Sequence, residues 1–461
     1  MDKFDIIVVG AGPGGYPAAI RAAQLGAKVA LIDKEKVGGT CLHRGCIPSK
    51  IGLHVAELCY EIEHAKSWGL TVDKPKLDWA QLVQKRQGIL TSLENGIQGL
   101  LKSHKIQLFS GAAILQSDHQ VEVNSQKFEA SKIILATGSV AGRPKIFSFD
   151  GYSVITSEEV FSWKELPTSL AIVGAGPEGC EWACMFASLG VEVGLIEAQD
   201  RLLPREEPWV GRELEKIFTE RKIGVFTSSS VESIQIKEKD WISLKLTGGT
   251  ELEVNRIIVA TGRKPNINQL LAASVSLKME NNFIQVNENL QTSLPNVYAI
   301  GDVNGLSMLA HSATHQGLIA VEHALGKGTR QFNTQNVPGV IFTFPEVARV
   351  GLTESELKTK GVDYQVGRFG FASLGKALAM GAPEGMVSLL SEKSTGKVLG
   401  GTVLGKNASD LIAEIALAQS AGLKLADIAH TIHAHPTLNE AVMEAAEDTH
   451  GLSIHRYKRK N

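Results

Sequence analysis

The residues best equipped for chemistry are Cys41 and Cys46, set in Gly38-Gly39-Thr40-Cys41-Leu42-His43-Arg44-Gly45-Cys46-Ile47-Pro48-Ser49-Lys50. With a glycine pair before them and Gly45 and Pro48 around the second, the spacing predicts one turn of helix in which the sulfurs can meet. A strained or exposed disulfide of that kind is labile and suited to passing electrons. A zinc site is a weak reading because no second ligand pair accompanies the two cysteines, and a structural bridge stays open on this stretch alone. The other thiols, Cys59, Cys180 and Cys184, fall on predicted helices and read as small hydrophobes. Near the opposite end stands His433-Ala434-His435-Pro436-Thr437-Leu438-Asn439-Glu440. Glu440, at the start of a predicted helix, can bond one imidazole nitrogen of His435, fix its tautomer and raise the basicity of the other. Read alone, the stretch is served as well by a histidine packed against the core.

The elements around these residues are those of dinucleotide binding. Residues 4–9 form a short apolar run of the buried parallel type. They lead into Gly10-Ala11-Gly12-Pro13-Gly14-Gly15, an Ala-rich helix to Leu25, and a second strand that ends in Asp33. Such glycines let a pyrophosphate approach the helix N-terminus, and the acid can bind ribose hydroxyls. The unit recurs: residues 169–173, then Gly174-Ala175-Gly176-Pro177-Glu178-Gly179, a helix, and a strand that ends in Glu197. Each unit is also followed by a strand closing in Ala-Thr-Gly, at Ala136-Thr137-Gly138 and Ala260-Thr261-Gly262. A duplicated βαβ unit predicts two dinucleotide sites. At the second, Glu197 opposes a 2′-phosphate by charge and Asp200 adds to it, while Arg201 leaves some ambiguity, so NAD is expected over NADP. The first lies just upstream of the cysteines and should hold what accepts electrons from sulfur. That acceptor is a flavin, because a nicotinamide exchanges hydride and cysteines cannot hand it one directly.

The chain of 461 residues is long enough for about three domains. With 47 basic against 49 acidic side chains, the net charge of −2 calls for neither nucleic acid nor an anionic membrane surface. The start shows no leader pattern and no apolar run reaches a membrane span, so a cytoplasmic location is expected. Five cysteines do not make a secretory disulfide framework. The basic end, His455-Arg456-Tyr457-Lys458-Arg459-Lys460, reads as a solvated tail. Helices are expected over 53–101, broken near Trp68-Gly69 and Pro75. Residues 295–302 read as a strand ending in an exposed acid, Asp302, with a helix from about Met308 to Leu325. After a polar junction at 331–336 the pattern becomes α+β.

On these segments the sequence resembles the pyridine nucleotide-disulfide oxidoreductases, and within them the dihydrolipoamide dehydrogenase branch, the E3 component of 2-oxo acid dehydrogenase complexes. The resemblance spans essentially the whole chain and is most specific at 38–50, 296–302 with 308–311, and 433–440. It implies an α/β protein with two Rossmann-like domains and a C-terminal α+β dimerisation domain: 1–142 with 266–334 for FAD, 143–265 for NAD, and 335–461 at a homodimer interface. It implies that Cys41 is the interchange thiol and Cys46 the charge-transfer thiol, with Lys50 near the flavin and Glu181 paired to it. FAD contacts are implied for Gly10, Gly12, Gly14, Gly15, Asp33, Thr40, Lys50, Thr137, Gly138, Asp302, Leu309 and Ala310. NAD contacts are implied for Gly174, Gly176, Gly179, Glu197 and Gly262; no metal is implied. His435, oriented by Glu440, would serve the partner subunit as general base and, as imidazolium, favour the Cys46 thiolate. Lipoyl domains and the E2 core are the implied partners. A glutathione-reductase-like NAD(P)H-dependent reductase is the alternative. Four stretches depart from the usual pattern: His43-Arg44 between the cysteines, Asp33 for a Glu, Ser312–Gln316 for an acidic stretch, and Ala372–Gly375, which lacks the usual polar residues.

Overall fold

The computed structural model describes residues 2–238 and 241–457. Its first sheet is built on the strand Asp2–Val9, where Ile6, Ile7 and Val8 are wholly buried. This strand pairs in parallel with Val29–Asp33 on one side and Gln126–Leu135 on the other. Helices cover such a sheet on both faces, so its central strand is apolar without alternation. Gln107–Ser110 extends the sheet beyond Val29–Asp33. The long strand Gln126–Leu135 divides its other edge: its first residues pair with the antiparallel hairpin Ala113–Leu115 and Gln120–Val123, and its last with Val297–Ala299.

The second sheet repeats the scheme with five parallel strands, in the order Gly224–Phe226, Glu192–Ile196, Ser169–Val173, Arg256–Val259 and Val154–Thr156. An antiparallel meander, Val231–Glu238, Trp241–Leu246 and Glu251–Val254, sits beside it. The chain passes between the two sheets through the antiparallel pair Ser139–Ala141 and Arg263–Pro265. The C-terminal sheet is antiparallel, ordered Gly339–Ile341, Glu346–Gly351, Val398–Gly405, Met386–Glu392 and Tyr364–Gly370. The helices Ala408–Ser420 and Glu440–Asp448 bury Ile412, Ile415, Val442 and Ala445 in a common core with it. Among the described residues no helix is long and apolar enough to cross a membrane.

The C-terminal end, expected as a solvated tail, is exposed at His455 and Tyr457 and is also tethered. His455 Nδ1 lies 2.6 Å from Glu444 Oε1, Ser453 Oγ donates to Glu444 Oε2 at 2.6 Å, and Arg456 pairs with Asp448. Two acids of the helix Glu440–Asp448 thus hold the chain end against it. The rest of the expected basic tail, Lys458-Arg459-Lys460, lies outside the described residues. The departure at Ser312–Gln316 is well packed: Ser312 and Gln316 are buried in the helix Ala310–Ala324, and Gln316 Oε1 accepts the Gly301 N–H at 2.7 Å.

Candidate active site

Both glycine loops are tied to their sheets by the same contacts. Gly10 and Gly174 have φ of 105° and 102°, where a side chain is strained. A Cβ on Gly10 would lie 2.2 Å from Ala136 O, and one on Gly174 2.5 Å from Ala260 O. Each loop therefore closes on its own Ala-Thr-Gly strand end. The last glycines repeat the match, since a Cβ on Gly15 or Gly179 would fall 1.7 or 1.8 Å from the carbonyl oxygen of the first. The acids also correspond. Asp33 Oδ2 accepts the Ala11 N–H at 2.5 Å, and Glu197 Oε2 accepts the Ala175 N–H at 2.7 Å. Arg201, the ambiguous cation, pairs with Asp200 at 3.0 Å and donates to Pro204 O.

The redox segment docks on the first loop. Gly38 N–H donates to Ala11 O at 2.8 Å, and a Cβ on Gly39 would come within 2.8 Å of Gly12 Cα. This close backbone approach places Thr40 and Cys41 beside the loop. The expected single turn of helix is instead two helices, Gly39–His43 and Cys46–His64, separated at Arg44 and Gly45. Gly45, with φ −120° and ψ −110°, has a backbone that continues neither helix. Cys46 is consequently the first residue of a long helix, where unpaired N–H groups favour an anion. His43 and Arg44 brace this break: His43 Nε2 lies 2.8 Å from Val37 O, and Arg44 pairs with Glu35 at 2.6 Å and Glu158 at 3.5 Å.

Cys41 and Cys46 are free thiols hydrogen-bonded to each other. That bond, with burial, raises Cys41; from the other side it draws Cys46 down to about 7, against burial and with help from the Lys50 ammonium. Lys50 is the cation of the same chain that acts on both sulfurs. Lys50 reaches Glu181 Oε2 at 2.7 Å, and Glu181 Oε1 accepts the Phe342 N–H at 2.9 Å. Gly52 makes this meeting feasible. A Cβ there would lie 2.5 Å from Met185 Sδ, so the redox helix and the helix Pro177–Ser188 touch at that point.

Asp302 is half-buried, not exposed. It follows the strand Val297–Ala299 in a single tight turn whose Gly301 N–H is held by Gln316. Burial pushes its carboxyl up, while the Ser139 hydroxyl at 2.5 Å and the Arg263 charge oppose the rise. Arg263 holds Ser139 Oγ at 2.7 Å and Glu158 at 2.8 Å. The sequence reading missed this Ser139, Glu158 and Arg263 set, together with Gln316; the only local signal was that Arg263 directly follows the second Ala-Thr-Gly. Leu309 and Ala310 begin the helix Ala310–Ala324, which packs on the first loop through Thr314 Oγ1, a donor to Pro13 O at 2.7 Å. The Thr137 hydroxyl is buried with no partner, while Gly138, Gly176 and Gly262 have open space where a side chain would stand.

The two histidines near the C-terminus separate clearly. The side chain of His433 is only 5% exposed, held between Thr431 O and Glu414 Oε1 at 2.8 and 2.9 Å. His433 is therefore the packed one. His435 is 79% exposed, with Nδ1 at 2.8 Å from Glu440 Oε1, which leaves Nε2 as the outward ring nitrogen. Burial pushes the Glu440 carboxyl up, but the hydrogen bonds from His435 and the Thr437 N–H outweigh it and hold it below the usual range.

Residues 4–317 match the family model described as pyridine nucleotide-disulphide oxidoreductase, and residues 337–446 match its dimerisation domain. The chain belongs to the pyridine nucleotide-disulphide oxidoreductase family. The dimerisation domain makes it a homodimer. It is similar to the dihydrolipoyl dehydrogenase of Thermus scotoductus, with 41% identity and 99% of each chain covered. It is also similar to that of Chlamydia trachomatis, with 40% identity over 96% of each. Among solved structures it resembles LpdA from Mycobacterium tuberculosis, with a TM-score of 0.89, 27% identity, and coverage of 97% of this chain and 99% of that one. Family membership agrees with the architecture of two Rossmann-like units and a C-terminal α+β part.

Proposed function

We propose that the protein is a dihydrolipoyl dehydrogenase that oxidises protein-bound dihydrolipoamide to lipoamide and reduces NAD+, as the E3 component of a 2-oxo acid dehydrogenase complex. The observation that carries this reading is the thiol pair beside the first glycine loop together with the outward His435–Glu440 pair on the dimerisation domain. The near full-length likeness to proteins named dihydrolipoyl dehydrogenase supports it over a glutathione-reductase-like reading, as does Glu197, which disfavours a 2′-phosphate.

FAD fits the first site. The partnerless Thr137 hydroxyl and the open space at Gly138 are suited to a bound group, and Asp33, Thr40, Lys50, Asp302 and the helix start at Leu309 and Ala310 surround the same loop. NAD fits the second, where Gly176 and Gly262 leave room, Gly174 and Gly179 keep the loop tight, and Glu197 fixes the loop through the Ala175 N–H. Held there, FAD would supply a two-electron acceptor for the reduced cysteine pair and a hydride donor for NAD+.

The chain's own residues do the rest. His435 Nε2 takes the proton from one substrate thiol, while Glu440 fixes Nδ1 as the protonated nitrogen. The substrate thiolate attacks Cys41 in the Cys41–Cys46 disulfide, forming one S–S bond and releasing Cys46 as thiolate. The second substrate thiol then displaces Cys41: His435 hands its first proton to the departing Cys41 and takes the proton of the second thiol in its place, so Cys41 leaves as thiol, Cys46 stays thiolate and one proton remains on the imidazole. Lys50 and the helix N-terminus hold the Cys46 anion, and Glu181 holds Lys50. Because His435 is exposed on the dimerisation domain with Nε2 facing outward from its own chain, we assign it to the pair of the partner subunit.

The same proposal divides the chain into 1–142 with 266–334 for FAD, 143–265 for NAD and 335–461 for the interface. It includes lipoyl domains and an E2 core as partners, and a cytoplasmic location. The test is direct: flavin-loaded protein mixed with dihydrolipoamide and NAD+ is expected to form NADH, and absence of turnover with flavin bound overturns the reading.

A further inference from the structure

The two glycine loops read Gly-Ala-Gly-Pro-Gly-Gly and Gly-Ala-Gly-Pro-Glu-Gly, and differ only at Gly14 and Glu178. The first has no space for a side chain at that position, since a Cβ on Gly14 would lie 3.2 Å from both Ala313 O and Ile300 Cδ1. The second carries a carboxylate there, in the first turn of the helix Pro177–Ser188. We propose that Glu178 lets the second dinucleotide site tell the oxidised nicotinamide from the reduced one, its carboxylate favouring the cationic ring of NAD+ over the neutral ring of NADH. The inference rests on the reading of that site as the NAD site.

The surroundings of Glu178 carry the argument. Its carboxyl is acted on by Ser157 and Glu158 from the turn Ser157–Ser162, by Arg263 from the strand Arg263–Pro265, and by Glu181 one turn along its own helix. Arg263 leads through Ser139 to Asp302, and Glu181 holds Lys50. Glu178 therefore stands between the loop assigned to the NAD pyrophosphate and two groups assigned to the flavin. A nicotinamide must reach the flavin to receive hydride, so its ring end has to pass among these residues. Both nearby cations are already engaged, Arg263 with Glu158 at 2.8 Å and Lys50 with Glu181 at 2.7 Å. Among the described residues Glu178 forms no ion pair; burial pushes its carboxyl up, and the Ser157 hydroxyl and the Arg263 charge only oppose the rise. A partly buried carboxylate whose nearby cation is shared with another acid gains from a ligand that brings positive charge of its own. The positive ring of NAD+ is such a ligand, and the neutral ring of NADH is not. The outcome would be easier product release during dihydrolipoamide oxidation.

The test uses Glu178→Gln, which keeps the shape and removes the charge, in the flavin-loaded dimer. Calorimetric titration gives dissociation constants for NAD+ and for tetrahydro-NADH, whose neutral ring cannot give up a hydride. The wild-type preference for NAD+ over the neutral analogue is expected to fall by roughly tenfold in Glu178→Gln, mostly through weaker NAD+ binding. Glu178→Asp is expected to restore part of it. The wild-type preference should also grow as pH rises and Glu178 ionises, and should stay flat in Glu178→Gln. An unchanged ratio, or equal weakening of both ligands, overturns the proposal and leaves Glu178 a structural residue. Failure of the functional reading would look different: the wild-type dimer would bind neither nucleotide and form no NADH from dihydrolipoamide.

Discussion

The two glycine loops share a backbone yet sit in different company. Around the first, Gly39 presses on Gly12, Ala313 and Ile300 close over Gly14, and Thr314 holds Pro13. The redox segment and the helix Ala310–Ala324 thus shut that loop in. Around the second, Gly176 faces open space, and the position equivalent to Gly14 carries a charged side chain. A nucleotide in the first site is enclosed by structure from distant parts of the chain, as suits a resident group. One in the second can enter and leave, as suits a co-substrate that turns over. One motif has been put to two uses by what is packed on top of it.

The sharpest way to break this contrast is to give the first loop the residue of the second. Gly14→Glu would force a side chain against Ala313 O and set a carboxylate where a pyrophosphate belongs. Purified protein is expected to lack most of its flavin absorbance and to retain less than about a hundredth of its dihydrolipoamide oxidation. Retained flavin would mean that the enclosure is looser than described. Next in size is His435→Gln, which leaves both loops intact. Dihydrolipoamide oxidation should fall by about 10²–10⁴, while NADH-driven dye reduction, which needs only the two nucleotide sites, is largely spared. Equal loss in both assays would make His435 structural. Glu197→Gln acts on the open loop alone. Removing its charge is expected to lower the preference for NAD over NADP by roughly tenfold, read from the ratio of kcat/KM values, with flavin content unchanged. The smallest effect is a pH dependence at the enclosed site. The Cys46 thiol is held at about 7, below its ordinary 9.0, by Cys41 and Lys50. The lowered value keeps the thiolate above pH 7 and loses it below. Thiolate-to-flavin absorbance of the two-electron-reduced enzyme should therefore halve near pH 7 as acid is added, and Lys50→Met should move that midpoint upward.

What the sequence made legible were arrangements written in short spacing. Cys41 with Cys46, each loop with its acid, and His435 with Glu440 are all set by a few residues of local backbone, or by a βαβ unit whose strands must pair. The two Ala-Thr-Gly ends were readable because the unit is duplicated. Contacts between remote residues were not readable. Ser139 and Asp302 are 163 residues apart in the chain, and nothing near either one announces the other. Asp302 therefore looked like an exposed strand end, although Ser139 and Arg263 draw it inside. The break at Gly45 was missed because glycine permits a turn of helix and a break equally well. The basic chain end is exposed as its charges suggested, but its tethers were not readable, because Glu444 and Asp448, which capture His455 and Arg456, lie on another element.

The carboxylate of Glu181 joins three separate regions: its own helix beside the second loop, Lys50 on the redox helix, and the Phe342 backbone at the entry to the C-terminal sheet. Lys406, from the far end of that sheet, grips the same redox helix at Glu57 and Glu61. A truncated version ending before the C-terminal sheet would therefore leave the redox helix without the Lys406 anchor and Glu181 without its Phe342 partner.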